Sequence, residues 1–248
     1  MRLSSKFTLP KLIGHRGVKN LKPENTIESI TTAFDLGLEC VEIDVKVSKD
    51  NIPLLLHDDT LDRTTTGSGL VCNFTFDQIK HLDAGYFFYK SKTDIKVPSL
   101  RNVLDLIKRK QKYLNIELKP NKNYEELNVK NILKEISRTG YDKIYLSSFD
   151  LSSCINLKET APYLQCGFLN DDFTKLNIDE TIEICKKYDF FSCGINLNFL
   201  SNFILNKFIE NDIQVTVYAD NNISKVQAHN LWNKNVTSIF IDDPTEYI

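Results

Sequence analysis

The sequence predicts a (β/α)8 barrel, and three observations carry that expectation. Short strand-like apolar runs begin near residues 11, 40, 113, 144, 164, 191, 215 and 238. Each of the first seven is followed by apolar residues at helical spacing. The chain has 248 residues, a size at which such barrels form one domain. A doubly wound open sheet is the alternative, but no Gly-x-Gly-x-x-Gly follows a strand.

The first strand, 10–13, runs into Gly14-His15-Arg16-Gly17, where the glycines let the backbone bend and let a ligand come close. Asn25-Thr26-Ile27-Glu28 reads as a capping-box-like helix start, and Ile27, Ile30, Ala33, Phe34 and Leu38 continue that helix. Residues 40–47 alternate strictly. Val41, Ile43, Val45 and Val47 point one way, toward the surrounding helices; Glu42, Asp44 and Lys46 point to the barrel axis. After the turn Asp50-Asn51, residues 52–56 form a short strand that ends at His57-Asp58. From about 58 to 98 the pattern is irregular, with one short helix near 75–81; this reads as an insertion in a single domain spanning 1–248, too short for an independent core. From Ser99 the alternation is regular: helices at 100–110, 124–139, 151–160, 179–188, 202–211 and 223–232 separate the remaining strands.

The formal net charge is −2, so no nucleic-acid footprint is expected and any phosphate must meet a few local cations. The six cysteines form no Cys-x-x-Cys pair; Cys40, Cys166 and Cys193 read as small core residues, and a reduced cytoplasmic protein accounts for them. Arg2 and Lys6 precede no apolar stretch of the kind a signal peptide needs, and no run approaches the roughly 20 apolar residues of a membrane helix.

Glu42 and Asp44 project to one side of their strand, and Glu117 projects inward from the next barrel strand. Three carboxylates can converge at the C-terminal mouth, and hard oxygen donors suit Mg²⁺ or Ca²⁺. The plainer alternative is ion pairing with Lys46 and Lys119. His15 and His57 end their strands at the same rim, where paired imidazoles can remove and donate protons. Arg16 and Lys119 can neutralise a phosphate. Together these residues make a phosphoryl-transfer set. Asp58 and Asp62 are candidates to orient or cap. His81 and His229 read as surface residues, and the run Tyr86-Phe87-Phe88-Tyr89 as packing for the insertion, with covering of the site as the alternative.

With these motifs in order, the sequence resembles the glycerophosphodiester phosphodiesterase family. The resemblance rests on Gly14-His15-Arg16-Gly17, Pro23-Glu24-Asn25-Thr26, Glu42-Ile43-Asp44-Val45, His57-Asp58, Leu61-Asp62-Arg63-Thr64-Thr65, Asn115-Ile116-Glu117-Leu118-Lys119, Ser148-Phe149 and Ile241-Asp242-Asp243-Pro244. It implies a TIM barrel that hydrolyses glycerophosphodiesters to glycerol 3-phosphate and an alcohol. It further implies His15 and His57 as the catalytic pair, Glu42, Asp44 and Glu117 as ligands of one divalent cation, and Arg16 and Lys119 on the phosphate. A route through a cyclic phosphate, formed by the substrate's own hydroxyl, is part of the same expectation. The chain departs from the pattern at Tyr218, where many members carry tryptophan, and at Asn51, where glycine is usual. The alternatives are a lysophospholipase D or sphingomyelinase-D-like activity on lipids, and a non-catalytic barrel that binds phosphodiesters.

Overall fold

The computed structural model describes residues 8–248; Arg2 and Lys6, on which the expectation about a signal peptide partly rests, lie outside them. Eight parallel strands close on themselves: β1 (Leu12–Gly14), β2 (Cys40–Val47), β4 (Tyr113–Leu118), β5 (Ile144–Ser148), β6 (Cys166–Asn170), β7 (Ser192–Asn196), β8 (Gln214–Tyr218) and β9 (Ser238–Ile241). β1 pairs with both β9 and β2, which seals the barrel. The strand β3 (Pro53–Leu55) turns back antiparallel on β2. This is the expected (β/α)8 barrel.

Alternation along the strands separates two apolar regions. Outward residues such as Val41, Ile43, Val45, Ile116 and Val217 pack under the helices. Inward residues Ile13, Cys40, Tyr145 and Phe240 plug the barrel beneath its mouth. The helices begin with side-chain caps of the kind the sequence signals: Thr26 on α1 (Ile27–Asp35), Ser99 on α4 (Leu100–Lys110), Asp150 on α6 (Leu151–Thr160) and Asn177 on α7 (Ile178–Lys187). α5 (Glu125–Thr139), α8 (Asn202–Glu210) and α9 (Lys225–Asn233) complete the outer ring. Five cysteines are buried and Cys72 is half-buried; all six are free.

The segment after β3 holds two short helices, α2 (Phe76–Ile79) and α3 (Tyr86–Tyr89), where the sequence suggests one. Its apolar residues Leu56, Leu61, Val71, Ile79, Ala84 and Val97 cluster with Leu54 of β3. The aromatic run does not join that cluster. Tyr86, Phe87, Phe88 and Tyr89 are 41–51% exposed, so they do not pack the segment as the sequence suggested.

Candidate active site

Register across β1 and β9 builds the first half of the site. Ile13 pairs with Phe240, and both point into the barrel; two residues further on, His15 and Asp242 do the same. The backbone N–H of His15 still bonds Ile241, which keeps the two chains in step. His15 Nδ1 lies 2.8 Å from Asp242 Oδ1. A carboxylate there holds the proton on Nδ1 and leaves Nε2 as the acceptor. Burial lowers the His15 pKa below its ordinary value, although Asp242 pulls it upward. Burial thus favours the neutral imidazole, the form that can take a proton.

The next residue turns the chain sharply. Arg16 has φ +51°, a left-handed conformation uncommon for a long side chain. Its carbonyl accepts from Asn25 N and Ser29 Oγ, and its N–H donates to Glu42 Oε2 at 2.9 Å. Gly17, at φ +84°, allows helix α1 to close against this turn; a Cβ there would sit 2.3 Å from Ser29 Oγ. The strain is thus held by contacts that also aim the Arg16 guanidinium at Glu24 (2.8 Å) and Asp44 (3.3 Å).

The three acids come from two neighbouring strands. Register places Asp44 opposite Glu117 and Glu42 opposite Asn115. Like charges directly across a ladder repel, and burial raises that cost. Asp44 nevertheless stays ionised: burial works against it, but Lys119 and Arg16 hold its pKa well down. Asn25 adds a reciprocal pair, donating from Nδ2 to Asp44 Oδ2 at 2.8 Å and accepting from Asp44 N at 3.0 Å. Glu42 fares differently. Burial, then Asp44 and Glu117, push its pKa well up, and its Oε1 is buried with no hydrogen-bond partner among the described residues. Burial raises Glu117 too, against the pull of Lys119 at 2.7 Å. Each acid offers an oxygen within 4.8 Å of the others. The orphaned Glu42 oxygen and the mutual repulsion that two cations leave among three acids fit a small hard cation, and the all-oxygen donor set fits Mg²⁺ or Ca²⁺. Of the ion pairs the sequence suggests, Lys119 does meet Glu117 (2.7 Å) and Asp44 (3.4 Å), whereas Lys46 reaches Asp59 (2.7 Å) and the Lys119 carbonyl instead.

His57 follows β3 and meets the mouth from the side. Its Nδ1 lies 2.6 Å from Asp58 Oδ1. Arg63 clamps Asp58 from behind and bridges to Glu24, which also holds Arg16. Arg63 draws the Asp58 pKa well down, so this carboxylate stays charged. Burial lowers the His57 pKa, with Asp44 pulling it up and Lys119 and Arg16 pressing it down. Asp62 only caps its loop, accepting from Ser68 and Gly69.

His15, Arg16, Glu42, His57, Glu117 and Lys119 all line one cavity of about 580 Å³ at the C-terminal mouth. Asp44 lies beneath it, joined through Arg16 and Lys119. His81 and His229 are exposed, as expected, and neither lines this cavity. Glu24, Asn25, Arg63 and Asp242 belong to the motifs that carry the family resemblance, but neither they nor Lys19 are among the site residues the sequence predicts. Lys19 lines the mouth and lies 3.3 Å from Asp242. Asp242 was legible in principle: its offset from Phe240 matches that of His15 from Ile13, but which strands close the barrel had to be known first.

The fold and its mouth define a barrel hydrolase suited to phosphate esters, with charge-neutralising cations, buried acids and two carboxylate-backed imidazoles around one opening. Comparison with known proteins narrows the class. Residues 15–246 match the model of the glycerophosphoryl diester phosphodiesterase family. The chain is 36% identical over 159 residues to a glycerophosphodiester phosphodiesterase of Caldanaerobacter subterraneus, an alignment spanning 64% of this chain and 65% of that protein. It is 28% identical over 249 residues to the enzyme of that name from Bacillus subtilis, spanning 94% of this chain and 83% of the relative. Among solved structures it resembles an Oleispira antarctica phosphodiesterase in complex with the product sn-glycerol-3-phosphate, with TM-score 0.89, 28% identity, and coverage of 96% of this chain and 95% of that one. The chain belongs to the glycerophosphoryl diester phosphodiesterase family, and with it to the phosphoric diester hydrolases.

Proposed function

We propose that this chain hydrolyses glycerophosphodiesters to glycerol 3-phosphate and an alcohol, with one divalent cation, Mg²⁺ or Ca²⁺, held by Glu42, Asp44 and Glu117. The observation that carries the reading is one cavity lined by two carboxylate-backed imidazoles above three converging buried acids. The bound cation would stabilise the negative charge that builds on the phosphoryl oxygens.

Arg16 and Lys119 neutralise the phosphate and fix it in the mouth. The glycerol hydroxyl beside the phosphoester attacks phosphorus, one imidazole takes its proton, and the other gives a proton to the departing alcohol oxygen. The P–O bond to the alcohol breaks as the ring closes to a cyclic phosphate. Water then opens the ring, the two imidazoles exchange roles, and the sum is the addition of one water. Asp242 and Asp58 hold each Nδ1 proton, so both Nε2 atoms remain available for transfer. The imidazole that donates enters the cycle protonated and the one that accepts enters neutral; Asp58 and Asp242 stabilise the positive charge on whichever ring carries it.

The reading takes residues 1–248 as one domain with 58–98 as its insertion. The substrate is a small molecule rather than a nucleic acid. Among the described residues no helix is long and apolar enough to cross a membrane. The free cysteines support a cytoplasmic setting. The cyclic route is tested with a substrate analogue lacking the neighbouring hydroxyl. Turnover of the analogue at the rate of glycerophosphocholine contradicts attack by the substrate hydroxyl; binding without turnover is the expected result.

A further inference from the structure

The aromatic helix α3 stands apart from everything above. Four consecutive aromatic side chains are turned outward, and none belongs to an apolar core cluster. They touch one another: Tyr86 packs edge-on against Phe87 with centroids 5.3 Å apart, and Phe88 against Tyr89 at 5.0 Å. Single exposed apolar residues are ordinary, but four consecutive exposed aromatic side chains followed by exposed lysines mark a contact.

The patch is held out by a built support. Asp83, itself buried, accepts from Gly85 N at one end of the segment and from Thr93 N and Oγ1 at the other. Asp83 also bridges to Lys96 through the backbone. Residues 85–93 are therefore a clipped loop whose tip is α3, and Lys90 closes the helix in the left-handed conformation at φ +54°. Lys90, Lys92 and Lys96 follow directly and are exposed, with Asp94 the only acid among residues 86–96. Aromatic rings with lysines beside them match the headgroup region of an anionic bilayer, where the rings settle between headgroups and the ammonium groups meet lipid phosphates.

The position also has meaning. Phe87 and Phe88 share a small cleft of about 210 Å³ with Lys19 and with the Arg63–Glu24 ion pair. Lys19 also lines the main mouth. A surface that received α3 would lie beside that opening.

We propose that α3 is an interfacial anchor: Tyr86, Phe87, Phe88 and Tyr89, with Lys90 and Lys92, dock the protein reversibly on an anionic lipid surface. The inference does not depend on the chemistry proposed for the mouth. A four-residue helix with few lysines gives weak, salt-sensitive attachment rather than insertion.

The test is co-sedimentation of the full chain with vesicles of phosphatidylcholine alone, or of phosphatidylcholine and phosphatidylglycerol in equal parts. The unaltered protein should partition onto the mixed vesicles at low salt and release at high salt. The double variant Phe87→Ser/Phe88→Ser should lose roughly tenfold or more of that partitioning, and Lys90→Gln/Lys92→Gln a comparable share. Hydrolysis of a soluble diester should be the same in all three proteins, which separates loss of docking from loss of folding or catalysis. The proposal is overturned if the unaltered protein stays in the supernatant at low salt, or if both variants partition as it does. It is equally overturned if sedimentation velocity finds a dimer that the serine variant abolishes, because α3 would then cover a second copy of this chain.

Discussion

Replacing Asp242 by Asn tests how much the site depends on a charged partner behind His15. The substitution keeps an oxygen acceptor of nearly the same size and removes the charge. Hydrogen bonds to charged groups contribute about 1.5–3 kcal/mol, so kcat should fall roughly tenfold to 150-fold. An amide that turns its NH₂ toward Nδ1 would impose the wrong tautomer, and the loss would then approach about 10⁴-fold. KM should change little, because Arg16 and Lys119 still meet the phosphate. The pH profile carries the decisive sign. Burial already lowers the His15 pKa, and Asp242 is what pulls it back up. Without that carboxylate the pKa falls further, so the acid limb of kcat/KM should move to lower pH. The assay is initial rate against pH with glycerophosphocholine. A kcat within twofold of the unaltered enzyme, or an acid limb that stays put, refutes a positioning role for Asp242.

Other consequences follow from the same geometry. His57→Gln should lose roughly 10²-fold or more of kcat, while His81→Ala and His229→Ala stay near the unaltered rate; rapid turnover by the Gln variant would place the second proton transfer elsewhere. Adding Mg²⁺ or Ca²⁺ at about a hundred times its Kd to chelated protein should stabilise it by about 2.7 kcal/mol, or roughly 5–10 °C in Tm. In Glu42→Gln, where the orphaned, repelled carboxylate is gone, the metal response should shrink while the metal-free Tm holds or rises; an unchanged Tm on adding either ion to the unaltered protein tells against the cation site. Thiol titration of the unfolded chain without reductant should find all six cysteines reactive, and two or fewer would contradict a reducing setting.

The barrel was legible in the sequence because its signals are local. The period-2 pattern of Cys40–Val47 and the 3.6-period stretches from Ser99 onward need no knowledge of neighbours, and the helices near 100, 151 and 202 begin where the pattern predicts. Six of the seven expected site residues line one mouth and Asp44 is joined to it through Arg16 and Lys119; His15, Arg16, His57 and Lys119 lie just past strand ends, and the three acids project from within β2 and β4. What was not legible depends on closure. Asp242 and His15 are 227 residues apart and meet only because β9 pairs with β1. Asn25 reads as part of a helix start, yet its side chain turns to Asp44, and Thr26 alone caps α1. Arg63 reads as one polar residue in a loop, and only the fold shows it holding Asp58 and Glu24 together. The exposure of the aromatic run is hidden from the sequence for a further reason: apolar content predicts burial on average, and here the small cluster under residues 56–98 is filled by other side chains.

The most direct measurement of the central claim is ³¹P NMR of glycerophosphocholine incubated with the metal-loaded enzyme. The account predicts that the diester resonance is replaced by that of glycerol 3-phosphate, with choline released in equal amount. It also predicts that neither change occurs with excess chelator or with His15→Gln. Phosphocholine and glycerol as products, or hydrolysis that continues undiminished in chelator, would contradict it.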